Sequence, residues 1–392
     1  MTSFRRIWAV LGLTTAALLA ACGGGGSSTS TSGTTGTLRV SLTDAPACGF
    51  DQVNVTVEKV QVNQSASASD SDPGWIDIAL NPALRVDLLT LSNGVLAELG
   101  QVPLAAGHYS QMRLVLAENS SSDPLANSVV PTGGSEQPLT TPSAQQTGLK
   151  INVDLDVQAN QMVDMVLDFD ACKSVVTAGA SGKYILKPVI KATPAYISGV
   201  GGYVDAALAN GLTTVSLQQD GVVIKATAPD ATGKFLLQPV APGSYDFVIT
   251  SPGFATLVVT GVTVDSGLVT TISTSGLPLL PPLAGVGTLA GVVTTPAVSV
   301  DAQISASQHL GNGDWIVVGS TLADADSGAY ALDLPAAAPW VAPYVAGGSL
   351  VFAADATAGS AYTLNAESAG VLQTAGPLTV VTGTTVTTNF AF

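Results

Sequence analysis

From Leu38 to the C-terminus, apolar and polar residues alternate with a period of two, in short runs broken by Gly, Pro, Asn and Asp. Side chains two apart on a strand point to the same face, so this pattern predicts β-strands with one buried face and one wet face. The clearest predicted strands are residues 38–42, 53–62, 111–116, 151–157 and 163–169. A helical turn is expected only within 84–99, where Asn93-Gly94 interrupts it. Residues 65–74 and 119–146, rich in Ser, Asp, Pro, Thr and Gln, read as surface loops with no core of their own. The expected fold class is all-β, built as tandem β-sandwich units.

The units can be placed. Composition changes near Pro194, after which Lys225 and Lys234 are the only basic residues. That bounds a first domain at 37–194. Two sandwich units follow, 195–276 and 288–392, joined by a segment, 277–287, that Pro281-Pro282 stiffens. Both carry an Asp/Gly turn leading into an aromatic-bearing strand: Thr227, Asp230, Gly233, Phe235 in one and Thr321, Asp324, Gly328, Tyr330 in the other. A second echo links Pro103-Leu-Ala-Ala-Gly107-His-Tyr109 to Pro239-Val-Ala-Pro-Gly243-Ser-Tyr245. Gly allows the sharp turn, and the tyrosine is expected to bury its ring while its hydroxyl reaches back to the backbone. This makes 37–194 an elaborated sandwich of related topology. The Pro-Gly-x-Tyr turn is missing from 288–392.

The N-terminus changes the picture from a generic β protein to an exported one. Arg5 and Arg6 precede an apolar run from Ile7 to Ala21 that is too short to span a bilayer, as expected of a signal peptide over 1–21. Leu19-Ala20-Ala21-Cys22 resembles the bacterial lipobox, which implies an acylated Cys22 as the first mature residue. Gly at position 23, where an inner-membrane retention signal has Asp, implies the outer membrane. Residues 22–36 then form a lipidated Cys and a Gly/Ser/Thr tether, a flexible coil spanning roughly 20 Å. Losing Arg5 and Arg6 leaves 11 basic against 28 acidic residues, a net charge of −17. Charged residues are only 10% of the chain. A weakly charged, acidic surface excludes nucleic acid as a partner.

Candidate chemistry is sparse. With Cys22 lipidated, Cys48 and Cys172 are expected to form a disulfide in an oxidising compartment, tying together the ends of the first domain; two free buried thiols are the alternative. Such a loop is worth at most about 4 to 5 kcal/mol. No hydrolase elbow, zinc-protease or phosphate-loop motif is present, and His108 and His309 lie far apart in the chain. The catalytic residue set is empty, which argues against an enzyme. Asp154 and Asp156 share a strand face, as do Asp168 and Asp170. If their strands pair across Gln158-Ala-Asn-Gln161, the four gather on one face where calcium would neutralise them. The simpler reading is a solvated sheet face. Trp315 and Trp340 are candidate ligand-stacking residues, although packing is the commoner fate of a strand Trp.

Two resemblances add to this. Gly36-Thr-Leu-Arg-Val-Ser-Leu-Thr-Asp44-Ala-Pro46, Val53 to Val60, Pro103 to Tyr109 with Gln111-Met-Arg113, and Asp168-Phe-Asp170-Ala-Cys172 resemble, over 36–194, a bacterial lipoprotein family catalogued as domain of unknown function 4382. This implies an envelope lipoprotein and assigns no catalytic residue. Gly199, Gly202, Gly233-x-Phe235, Pro242-Gly243-x-Tyr245 and Pro252-Gly253-Phe254 resemble the carboxypeptidase-regulatory-like, transthyretin-like sandwich, a fold akin to carbohydrate-binding modules. The expected function is a non-catalytic envelope lipoprotein that binds or organises extracellular or periplasmic material, with polysaccharide the first candidate. A protein-binding or adhesive scaffold is the alternative, and a carboxylate-based hydrolase a weaker one. Expected partners are the membrane, through Cys22, and a polysaccharide or another envelope protein. No cofactor is expected beyond calcium.

Overall fold

A computed structural model describes residues 35–44, 49–142, 148–179, 181–195, 197–296 and 299–392. Cys22, the tether up to Thr34 and Cys48 lie outside them. Strand makes up 57% of the structure and helix 3%, so the fold is all-β, as the alternation predicts.

The first unit contains β1 (Thr35–Asp44), β2 (Phe50–Asn63), β3 (Ile76–Asp87), β4 (Ala97–Ala105), β5 (Gly107–Leu116), β6 (Ser128–Pro131), β7 (Gln137–Thr140), β8 (Leu149–Val157), β9 (Met162–Phe169), β10 (Val175–Ala178), β11 (Lys183–Leu186) and β12 (Ile190–Pro194). The second contains β13 (Gly199–Tyr203), β14 (Thr214–Gln219), β15 (Val222–Thr227), β16 (Lys234–Leu237), β17 (Gly243–Thr250), β18 (Leu257–Val264) and β19 (Val269–Thr271). The third contains β20 (Val286–Thr294), β21 (Gln303–His309), β22 (Trp315–Leu322), β23 (Ala329–Pro335), β24 (Trp340–Pro343), β25 (Ala353–Ala354), β26 (Ala361–Ser368), β27 (Val371–Thr379), β28 (Thr385–Thr387) and β29 (Phe390–Ala391).

All three units share one topology. In each, the first strand pairs antiparallel with a fourth and parallel with a late one: β4-β1-β9, β16-β13-β19 and β23-β20-β28. Opposite lies an antiparallel sheet in the order β3-β2-β5-β8, β15-β14-β17-β18 and β22-β21-β26-β27. The inner faces enclose one apolar core per unit, with Leu38, Val55 and Leu114 in the first, Phe235, Phe247 and Val259 in the second, and Leu289, Ile304 and Leu364 in the third. The first unit is elaborated by β6, β7, β10, β11 and β12, which widen both sheets.

The sequence echoes are the joints of this repeat. Tyr109 and Tyr245 bury their rings and donate their hydroxyls to the carbonyls of Ala105 (3.1 Å) and Ala241 (2.9 Å), four residues back. The third unit has its own corner tyrosine, Tyr362, on β26, whose hydroxyl donates to Pro335 at 2.8 Å. No Pro-Gly-x-Tyr motif marks it because residues 336–360 are inserted in the connection between β23 and β26. The Asp/Gly turns repeat the same pair of backbone bonds. Asp230 N donates to Lys234 O and Val204 N to Gly233 O, and Asp324 N to Ala329 O and Val293 N to Gly328 O, all at 2.8 Å. Gly233 and Gly328 have φ of +79° and +68°, and a Cβ on either would run into the carbonyl of Val204 or Val293.

Several expectations need correction. β8 and β9 do not pair across residues 158–161: β8 pairs with β5 in the larger sheet, and β9 with β1 and β12 in the smaller one. The buried rows of the two strands face each other across the core, and periodicity reports the face of a strand without its neighbour. Residues 65–74 have an anchor. Arg113, 1% exposed, reaches from β5 to Asp70 (3.0 Å) and Ala68 O (2.9 Å) and lies 4.1 Å over the Trp75 ring. Residues 119–142 include β6 and β7, held by buried Asn127, whose amide bridges Thr56 N and Ala117 O. In the 84–99 region a single 3-10 turn, Leu88–Leu91, forms before Asn93 takes a positive φ.

The 277–287 segment is bonded to the second unit. Leu279 exchanges backbone hydrogen bonds with Tyr203 and Asp205, and Ala255 N donates to Pro282 O. Part of the inserted segment 336–360 crosses to the second unit: β24 adds in parallel to β18, and Tyr344, Leu350 and Phe352 pack on the second unit's core. In return, Val248 and Val258, on the outer face of the second unit's larger sheet, belong to the third unit's core. Units two and three therefore share a wall.

Candidate functional site

The three units meet around a cavity of about 660 Å³. Its walls follow from strand parity. On β14, Val215 and Leu217 enter the core, so Thr214, Ser216 and Gln218 face outward into the junction. On β22, Ile316 and Val318 enter the core and Val317 faces outward opposite β14; a bulge at Val318 offsets the alternation, so Ser320 faces outward as well. The first unit closes the cavity with Phe50 and Tyr184, which meet edge to face at 5.9 Å, and with Lys173. Gln218, 1% exposed, fixes the spacing: its amide donates to Val317 O at 2.8 Å and accepts from Val317 N at 2.7 Å, as a strand would. The lining is mostly hydroxyl, amide and aliphatic. Tyr330 also lines it; burial pushes its phenol up to about 12, so it stays a neutral donor, bound to Thr388 O at 2.6 Å.

Charge gathers beside the cavity, where Asp170 and Asp168 each have an ammonium. Asp170 caps the helical turn Ala171–Ser174 by accepting from Lys173 N, and meets Lys173 Nζ at 2.8 Å. Asp168 meets Lys225 Nζ of the second unit at 2.9 Å, with Lys225 only 4% exposed. Lys191 donates to Val223 O at 2.7 Å; burial, with the nearby Lys173 and Lys225 ammoniums, pulls it below its usual range against the opposing pull of Asp168 and Asp170. A second junction binds the first unit to the third. Burial raises the Asp324 carboxyl, but hydrogen bonds from the Ser327, Gly179 and Asp326 amides outweigh it and hold the group below the usual carboxylate range.

The four aspartates proposed for calcium are thus split. Asp168 and Asp170 are neutralised by Lys225 and Lys173. Asp154 and Asp156 stand exposed on β8, where His108 Nδ1 lies 2.9 Å from Asp156 and 3.7 Å from Asp154. Among the described residues no group of three or more His, Cys, Asp or Glu is placed to hold a metal ion. Trp315 and Trp340 do not converge. Trp315 is 40% exposed at the start of β22, its ring 4.7 Å from His309 and its Cβ close to Gly221. Trp340 is half-buried in β24, opposite Leu257. Neither lines the cavity. Cys172 does. Its expected partner, Cys48, lies outside the described residues.

Lys225, Gln218 and Tyr184 carry no motif. The one available signal was the scarcity of lysine after Pro194, which makes a lysine amid alternating apolar residues conspicuous.

Residues 35–188 match the family model described as Domain of unknown function (DUF4382). No curated protein matches the chain. Among solved structures, a type II cohesin–X-dockerin complex from Acetivibrio cellulolyticus is 26% identical over 22% of this chain and 58% of its own, with a TM-score of 0.19. The Bacillus anthracis TIE protein is 12% identical over 91% of this chain and 51% of its own, TM-score 0.18. BcpA, the major pilin subunit of Bacillus cereus, is 12% identical over 91% and 99%, TM-score 0.16. This chain spans little more than half the length of the first two. Likenesses at such TM-scores carry no argument about function.

Proposed function

We propose that this protein is a non-catalytic envelope lipoprotein, anchored in the outer membrane through acylated Cys22, that holds a segment of uncharged polysaccharide in the cavity between its three units. The observation that carries this reading is the cavity itself. It lies where ligand sites concentrate, between domains, and has the volume of one. Its hydroxyls, from Thr214, Ser216, Ser320 and Tyr184, both donate and accept as a sugar requires, and its carboxylates are occupied by lysines or backbone amides. The Cys48–Cys172 bond would brace the same wall through Cys172.

The test is binding of the purified mature chain to a glycan array, followed by calorimetry on any hit. Ser216→Trp and Ser320→Trp, which fill the cavity from opposite walls, should each weaken binding more than tenfold, while Trp315→Ala stays within twofold. Binding lost with Trp315→Ala and retained in both filled variants would overturn the cavity, and turnover of the glycan would overturn the non-catalytic reading. In the same cells, Cys22→Ala should leave the membrane fraction or accumulate unprocessed; unchanged fractionation would remove the anchor. A scaffold reading is favoured by the shared wall between units two and three, and a hit-free array with an intact anchor would select it.

A further inference from the structure

The threefold repeat allows one sheet edge to be compared in three settings. In every unit the corner tyrosine is followed by the same irregularity. Tyr109 pairs with Leu155 and Gln111 with Asn152; Tyr245 pairs with Val262 and Phe247 with Val259; Tyr362 pairs with Leu378 and Leu364 with Ala375. This register makes β8, β18 and β27 equivalent edge strands, and it places Gln373–Gly376 where the second unit has Leu257–Thr260.

The three edges are treated differently. An open edge offers unpaired amides and carbonyls to any extended chain, and proteins guard such edges with charge, Pro or a covering element. β8 is guarded by Lys150, Asp154 and Asp156, all exposed along it. β18 is covered, because Leu257–Thr260 accepts Trp340–Pro343 in parallel, with Trp340 N donating to Thr256 O and Tyr344 N to Thr260 O, each at 2.8 Å. β27 has neither protection. No charged residue occurs from Val371 to Thr379, and among the described residues it pairs with β26 alone. Val371 and Leu372 are 54% and 62% exposed. Only Pro377 interrupts it, beyond the positions that correspond to the β24 seat.

The geometry points to β27, over Val371–Gly376, as the acceptor for an extended strand from a partner protein, added in parallel. The occupant is specified by the one the chain already carries at the equivalent seat: an uncharged segment of small, β-branched and aromatic residues bounded by prolines, of the type Pro339-Trp-Val-Ala-Pro343. Main-chain pairing supplies the affinity and alternate side chains the selectivity. In the second unit the following unit donates this strand. The proposal stands apart from the cavity and its ligand.

The probe is a synthetic peptide of residues 338–344, titrated against the full chain by fluorescence polarisation, with backbone hydrogen exchange read by mass spectrometry. Saturable binding, slowed exchange within 371–376, and at least a tenfold loss of affinity in Leu372→Lys/Thr374→Lys with an unchanged melting temperature are expected. Absence of saturable binding up to millimolar peptide would overturn the proposal. So would protection confined to 257–264, which would mean displacement of β24, or equal affinity in the double variant.

Discussion

Arg113 shows how much one buried side chain can organise. Its guanidinium gives a hydrogen bond to a carbonyl, another to a carboxylate and a planar face to an indole, and so turns a run of Ser and Asp into a fixed loop. Arg113→Met should cost about 2 kcal/mol, in the range of hydrogen bonds to charged groups. Limited proteolysis should then cut within 65–74, and Arg113→Lys should fail to restore protection, since an ammonium lacks the planar fork. Residues whose partners lie near them in sequence were legible: the corner tyrosines reach four residues back, and Asp230 and Asp324 bind amides within their own turns. Arg113 and Lys225 were not, because the groups that satisfy them, Ala68 and Asp168, are distant in sequence and brought near only by the fold.

Among elements, strands were legible and their pairings were not. Alternation located all five of the clearest strands, yet β8 and β9, joined by a short polar link, passed for a hairpin while belonging to opposite sheets. The turns that bind the sheets together make the sharper prediction. Gly328 and Gly261 both have positive φ, but only Gly328 has a backbone carbonyl where its Cβ would be. Gly261→Ala should cost about 1 to 2 kcal/mol, the ordinary left-handed penalty, and Gly328→Ala clearly more, as chemical denaturation would show. Equal costs would mean that the turn relaxes and that the repeated Asp/Gly geometry is not essential to the third unit.

The whole molecule is held by contacts between units, one of which should be pH-dependent. The Asp324 carboxyl lies below its unfolded value, so its contribution is present in full above about pH 4 and is lost as the pH falls through the folded value. Asp324→Asn should therefore melt below the parent at pH 7, and the gap should narrow as the pH falls below about 4. A gap that persisted in acid would assign the contact to shape alone. No sequence pattern announced this junction, or the cavity beside it, because both arise from outward-facing residues that periodicity marks only as polar.

The crossing of residues 336–360 into the second unit also has a consequence for the order of folding. A chain is synthesised N-terminus first, and domains generally fold in the order they appear. The second unit cannot follow that rule to completion. Its β18 edge stays open after Val264 has emerged and closes only when Trp340–Pro343 arrives, by which time much of the third unit has also been delivered. During that interval the growing chain presents an uncovered apolar edge, and whatever shields it must bridge the delay between the two halves of a single sheet.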